Sequence, residues 1–382
     1  MAGLIILQML IIDGHLDLAY NALAYDRDQT LSMAELRQAE AAVKDSDGRG
    51  TATVCLEELR RGQVGLFVAT LFTRAYAGTA AAQRLRRSDS DHATPAIAHA
   101  AAHGQLAYYR LLERQGLLRI ITTTDELDAH WRQWHDAAAT AVSGIPIPVS
   151  EPAIPVGCII LIEGADAVTE PAEIVHWHQR GVRAVSLAHT QVTAYASGNS
   201  VDGSLMPLGR PLLKAMAELN IVLDMSHLAD RSFWEAMDHF EGRVLASHSN
   251  CRALAPGMRQ FNDRQMRAII ERDGVVGVVL CNNMIVPGLK RETYQRAEVT
   301  LERLAEHVDH LCQLAGDAKH VGIGSDLDGG FGQEHTPAGI DTIADLQKLA
   351  PVLSKRGFRD DDIAAIMHEN WLRFWREALS AE

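Results

Sequence analysis

Residues able to bind a cation or move a proton recur in this 382-residue sequence at one kind of place, directly after a short apolar run. The first such place reads Ile12-Asp13-Gly14-His15-Leu16-Asp17. Residues two apart on an extended chain face the same way, so His15 and Asp17 can hold one ion together. Another run ends Leu161-Ile162-Glu163-Gly164. An unpaired carboxylate is costly to bury. Glu163 therefore calls for an Arg or Lys from a neighbouring loop, or for cations, two of which a carboxylate can bridge. Two successive runs end alike, in Asp224-Met225-Ser226-His227 and Leu245-Ala246-Ser247-His248. Two imidazoles at equivalent positions suit a shared ion. Asp224 shares a face with Ser226 and opposes His227, which leaves it either a partner to the ligands or a structural residue. Further on, Gly324-Ser325-Asp326 offers a general base or acid, or else a turn aspartate, while Asp328 and the glycines after it shape the loop. Ser186-Leu187-Ala188-His189 adds one more histidine, suited to polarising a substrate carbonyl.

Stepping these residues into place requires strands whose ends converge. Apolar runs at 4–12, 64–71, 157–162, 182–188, 221–225, 243–246, 275–280 and 320–324 are continuous rather than alternating, as in strands covered on both faces. Amphipathic stretches at 171–180, 208–219, 231–240, 263–272 and 301–314 lie between them. Strand-then-helix repetition over eight strands predicts a (β/α)8 barrel, whose catalytic groups gather at the C-terminal rim. A doubly wound open sheet is the rival. The longest departure, residues 73–155, holds helical segments at 97–114 and 124–141 and a Pro-rich stretch, and reads as a helical insertion after the second strand that roofs part of the site. Residues 122–126 offer N-cap chemistry for its second helix. Residues 361–379 form a closing helix, and residues 1–382 read as a single domain.

The formal net charge of -13 argues against nucleic acid as the main partner, although a local cationic pocket could still take a small acidic substrate. The five cysteines are isolated, without a CxxC pair, and are expected as reduced thiols. The apolar N-terminus lacks Lys or Arg before Asp13 and any cleavage pattern, so a buried strand is expected there instead of a signal peptide. No apolar stretch is long enough for a membrane span, and a cytoplasmic protein is expected. A homodimer is the default assembly among soluble oligomers. The other histidines, including His99, His103, His130, His307 and His368, fall in helix-like or loop segments and are expected to be surface or packing residues.

As an ordered set, His15-x-Asp17, Glu163-Gly164, His189-Thr190, Ser226-His227, Ser247-His248-Ser249-Asn250 and Gly324-Ser325-Asp326-x-Asp328-Gly329 resembles the renal (membrane) dipeptidase family, as does Ser204-Leu205-Met206-Pro207-Leu208-Gly209. The resemblance implies a barrel with two zinc ions. His15 and Asp17 would hold one, His227 and His248 the other, and Glu163 would bridge them. Asp326 would match the family's proton-transferring aspartate and His189 its substrate-carbonyl histidine. Arg259, in Met258-Arg259-Gln260-Phe261, would match the arginine that grips the substrate's C-terminal carboxylate. The implied substrate is a dipeptide, with a D-residue often tolerated at the C-terminal position.

Departures from the family pattern surround these positions. They are Leu18-Ala19-Tyr20 after the first aspartate, Leu66-Phe67-Val68-Ala69-Thr70 in the second strand, Thr190-Gln191-Val192-Thr193 after His189, and Cys281-Asn282-Asn283-Met284. They are expected to line the substrate pocket, which keeps open a related amide, lactam or ester hydrolase. A non-catalytic metal- or peptide-binding barrel is the third reading, against which Asp326 argues, since a binder needs no proton shuttle.

Overall fold

The computed structural model describes residues 9–45, 48–75, 91–142, 154–290 and 293–380. Eight strands set the frame: β1 (Ile11–Leu16), β2 (Val64–Phe72), β3 (Val156–Glu163), β4 (Val182–Ser186), β5 (Val222–Asp224), β6 (Val244–Leu245), β7 (Val276–Val278) and β8 (Val321–Ile323). Every residue of these strands is buried, as continuous apolar runs require. They lie in the order β7-β8-β1-β2-β3-β4-β5-β6, each pair parallel. A parallel bridge between Ala246 and Val276 joins β6 to β7, with the Gly277 amide donating to the Ala246 carbonyl at 2.8 Å. That bridge closes the sheet on itself, so the chain is a (β/α)8 barrel and not an open doubly wound sheet.

β1 begins at Ile11 and continues through Leu16, later than the apolar run 4–12 suggested; residues 4–8 of that run lie outside the described residues. The Ile11 amide donates to the Gln63 carbonyl, which sets where pairing with β2 starts. His15 is thus a strand residue, fully buried inside the rim. Helices Gly209–Glu218, Asp230–His239, Asp263–Glu271 and Leu301–Ala315 follow their strands within one or two residues of the amphipathic stretches. Three helices before β2, at Leu18–Tyr25, Met33–Glu40 and Leu56–Arg61, are too short to show a helical period and escape the sequence pattern.

The segment after β2 contains helices Pro95–Arg114 and Thr124–Val142. Between them, Leu118–Ile120 pairs in parallel with the start of β3. The Thr123 hydroxyl accepts the Glu126 amide, and the Glu126 carboxylate accepts the Thr122 and Thr123 amides, so this helix start is built from the expected residues. The helix does not roof the rim. His130 bonds the Gly65 carbonyl at 2.8 Å and Trp134 donates to the Pro155 carbonyl at 3.0 Å, which places it under the entry ends of β2 and β3. Arg74, early in the insertion, does line the pocket, and residues 76–90 and 143–153 of the expected roof lie outside the described residues.

The closing helix runs as Asp360–Ala364, a π turn at Ala365–Glu369, and Asn370–Leu379. Asn370 donates to the carbonyls of Ala318 and Val321, and Trp371 donates to that of Ile323 at 2.8 Å. The indole lies where a side chain on Gly14 or Gly322 would stand, so both strand positions must be glycine.

Burial drives the pKa of His130 down to about 4, although its bond to the Gly65 carbonyl opposes the shift. A folded-state pKa below the unfolded value means the unfolded chain takes up the proton first as pH falls. The associated stability is whole above about pH 6.5 and is lost towards pH 4, with about 2 kcal/mol gone by pH 5. His130→Gln, which cannot titrate, should therefore show a stability deficit in urea that shrinks by about that amount between pH 7 and pH 5. An unchanged deficit would contradict this reading.

Candidate metal centre

Strand ends β1, β3, β5 and β6 aim their chemistry-bearing side chains at one pocket of about 340 Å³ in the rim. Asp17, Glu163, His189, His227, His248, Arg259 and Asp326 line it, and His15 lies fully buried directly beneath. All the residues singled out from the sequence are therefore brought together.

Glu163, the last residue of β3, occupies the middle. Its Oε2 lies 3.5 Å from His15 Nε2. Its Oε1 lies 3.4 Å from His227 Nε2, 3.6 Å from His248 Nε2 and 3.9 Å from His189 Nε2. The carboxylate thus shows one oxygen to the first-strand side and the other to the histidines of the far side. His15 Nε2 also stands 3.9 Å from both Asp17 Oδ1 and Asp326 Oδ1. Thr70, on β2, donates to the Asp17 carboxylate. Three overlapping groups have ligand atoms close enough to share an ion: His15 with Glu163 and His248, Glu163 with His189 and His227, and His15 with Asp17 and Asp326.

The donor set suits cations on two observations. His15 Nε2 is buried without a hydrogen-bond partner. His227 and His248 bring their Nε2 atoms to 2.9 Å, while the Nδ1 of His227 faces Asn199 Oδ1 at 3.0 Å. A side-chain carbonyl only accepts, so that Nδ1 carries the proton and His227 Nε2 presents a lone pair. Such a nitrogen pressed against another needs a proton or a metal ion between them.

Electrostatics without a cation are correspondingly tense. Burial depresses the pKa of His15, but Glu163, Asp17 and Asp326 outweigh it and raise it to about 10. Burial pushes Glu163 up, and the neighbouring His15, His189 and Arg259 bring it down to about 2. Asp17 rises to about 7 through burial and the Glu163 charge. Asp326 is raised well above the usual carboxylate range, chiefly by burial. His189 falls to about 4, and His227 and His248 fall well below the ordinary histidine value, again chiefly by burial. Neutral imidazoles and carboxylates are what a hard or borderline cation takes as ligands.

Arg259 donates to the His248 carbonyl at 2.8 Å and to the Ser249 hydroxyl at 3.1 Å, which hold its guanidinium against the pocket instead of on the surface. His227, Asp326 and Asp328 all have positive φ, at 68°, 58° and 64°. Non-glycine residues there cost of order 1–3 kcal/mol each, a strain that surrounding structure must impose. For Asp328 the means are visible. Its carboxylate accepts the Thr53 amide and hydroxyl and the Val54 amide, and faces Arg27 at 3.3 Å. The loop-shaping role expected of it is carried out by clamping the β1–β2 connection to the last strand.

Several pocket residues were not singled out. Phe72 packs edge to face against Tyr20 at 5.1 Å beside His189, and Arg74 reaches within 3.5 Å of His189 Nδ1. Arg74 follows β2 directly, so the rim rule applied to that strand end would have found it. Asn199 lies in a loop without periodic signal. Of the departures from the family pattern, Tyr20, Cys281, Asn283 and Met284 line the pocket. Thr70 supports Asp17, whereas Leu66–Ala69 are core and Val192 pairs with Ser197 outside the pocket.

Residues 149–382 match the membrane dipeptidase family, peptidase family M19. The chain belongs to that family. It is thereby a metal-dependent hydrolase of the peptidase class. His15 and Asp17 precede the matched stretch and join the site through the closure of the barrel. An uncharacterized protein encoded in the pqqA 5′ region of Klebsiella pneumoniae is 30% identical over 221 residues, covering 56% of this chain and 78% of that one. An uncharacterized dipeptidase of Schizosaccharomyces pombe is 28% identical over 221 residues, 56% of this chain and 51% of the yeast protein, so the match spans about half of that relative. A solved metallopeptidase from Rhodobacter sphaeroides, liganded with a phosphinate mimic of the dipeptide L-Ala-D-Ala, has a TM-score of 0.72 at 22% identity, over 96% of this chain and 98% of its own, a likeness of fold. Among the described residues no helix is long and apolar enough to cross a membrane.

Replacing Asp328 by Ala would leave three buried donors without their acceptor and take from the buried Arg27 one of its two carboxylates, Glu40 being the other. A loss of about 3–5 kcal/mol in urea-induced unfolding is expected. A loss below about 1 kcal/mol would show that the clamp contributes little.

Proposed function

We propose that this chain is a dipeptidase working with two zinc ions, His15 and Asp17 holding one, His227 and His248 the other, and Glu163 shared between them. The observation that supports this reading most directly is the division of the two Glu163 oxygens between His15 on one side and His227 and His248 on the other. Zinc at such a site supplies a water nucleophile at neutral pH and draws electron density from the scissile carbonyl.

The chain's own residues do the rest. Asp326, buried and therefore a ready proton acceptor, takes the proton from the attacking water and returns it to the leaving amine. His189, kept neutral by burial, faces the pocket and donates to the carbonyl oxygen as negative charge develops there. Arg259 offers a planar donor pair to a free carboxylate, which favours a substrate ending one residue after the scissile bond. Tolerance of a D-residue at that end follows from gripping the carboxylate and not the side chain. The Rhodobacter sphaeroides relative with its L-Ala-D-Ala mimic points the same way.

Metal analysis of protein purified without chelator should give close to two zinc ions per chain, falling sharply in Glu163→Gln. Asp326→Asn should keep the metal and lose about 100-fold or more in kcat. Arg259→Met should raise KM for dipeptides with little change in kcat. Metal-loaded protein inert to a full L,L and L,D dipeptide panel would sink the reading. Turnover of N-acyl amino acids or lactones instead would favour the related hydrolase to which Cys281, Asn283 and Met284 in the pocket lend weight.

A further inference from the structure

Beneath the pocket one hydroxyl carries more hydrogen bonds than its size suggests. Ser247 Oγ lies 2.6 Å from Asp224 Oδ2, 3.0 Å from His15 Nδ1 and 2.8 Å from His248 Nδ1. A hydroxyl has one proton and two lone pairs. Asp224, as a carboxylate, can only accept, and its other oxygen is already occupied by the Ser226 and Ser247 amides at 2.9 and 3.0 Å. The Ser247 proton is therefore committed to Asp224. Both lone pairs of Ser247 are left to receive N–H groups, and the two imidazole Nδ1 atoms are the groups that face them. Ser226 Oγ, at 3.4 Å, is more distant than any of these and itself accepts the His248 amide.

We infer that Asp224 and Ser247 are positioning residues that fix the Nδ1–H tautomer of His15 and His248 at once, so that both rings present a bare Nε2 towards Glu163. This rests on the two-metal reading above and deepens it. The two histidines belong to opposite sides of the proposed bridged site, so one serine prepares a ligand for each ion. Carboxylates and carbonyls that orient a ligating histidine ordinarily serve one ring. Here a single carboxylate serves two through the hydroxyl between them.

The backbone around Ser247 is fixed as tightly as its side chain. A Cβ on Gly277 would stand 2.1 Å from the Ser247 carbonyl oxygen, and one on Gly324 only 1.8 Å away. β7 and the end of β8 thus give up side chains where Ser247 passes. The backbone of Ser247 is therefore packed directly against both strands.

Asp224→Asn tests the inference with almost no change of shape. Turning its Nδ2 towards two backbone amides would set donor against donor, so Nδ2 must face Ser247. The hydroxyl then receives that N–H, and its own proton turns onto an imidazole. In zinc-loaded protein with 15N-labelled histidine, the Nδ1–H protons of both His15 and His248 should be hydrogen-bonded and slow to exchange in the wild type, and one of the two should exchange faster in Asp224→Asn. Zinc affinity, measured by chelator competition, should fall about 10- to 100-fold. Ser247→Ala should weaken zinc similarly and provides the same readout if Asp224→Asn does not fold. Unchanged Nδ1–H signals from both histidines, or zinc binding within twofold of the wild type in the folded variants, would overturn the inference. Wild-type protein that binds no zinc would sink the two-metal reading and with it the inference, whereas zinc held equally by wild type and Asp224→Asn would sink the inference alone.

Discussion

The constraint on which this structure depends is the burial of like charges at one end of the barrel. Asp17, Glu163 and Asp326 converge within a few ångströms of His15, and Glu163 is only 3% exposed. Carboxylates so placed repel one another and have lost most of their water. The chain answers with an arginine behind the pocket, imidazoles around the central carboxylate, and donors such as Thr70 from the second strand. What remains unbalanced is a set of lone pairs and negative oxygens facing a common space. That imbalance is a cost to folding and at the same time the source of affinity for cations.

A barrel suits this task because its strands arrive from all sides while neighbouring strands hold each other rigid. Backbone strain concentrates at the same end. His227 and Asp326 take left-handed conformations immediately after their strands, which turns their side chains back over the barrel mouth. The Asp326 amide bonds the His15 carbonyl, so the strained turn after the last strand is pinned to the first.

Much of this was legible in the sequence because barrel strands are buried on both faces. Continuous apolar runs marked all eight, and the polar residues ending several of them marked the rim. The ordered motifs then singled out the residues that meet in the pocket. What could not be read has physical reasons. Strand pairing depends on partners far away in sequence, so β1 began later than its apolar run and β6 pairs over two residues. The helix Thr124–Val142 was legible as a helix, but its place under the barrel is decided by His130 and Trp134 meeting backbone carbonyls of distant segments. Asp224 offered two roles until the position of Ser247 between two histidines was known. Asn199 gave no signal, since a loop amide is recognised only by what it touches.

The Asp13 carboxylate accepts the amides of His15 and Ser325, residues from opposite extremes of the barrel. The same junction carries His15 and Asp326, so the polar cluster of the pocket straddles the seam where the first strand meets the last. During synthesis, a growing chain holds His15, Asp17 and Glu163 for as long as the ribosome takes to add more than a hundred and fifty residues, and the barrel that brings the cluster together stays open throughout. Tight capture of a cation therefore waits until the seam is sewn. A half-made chain has little means of sequestering metal.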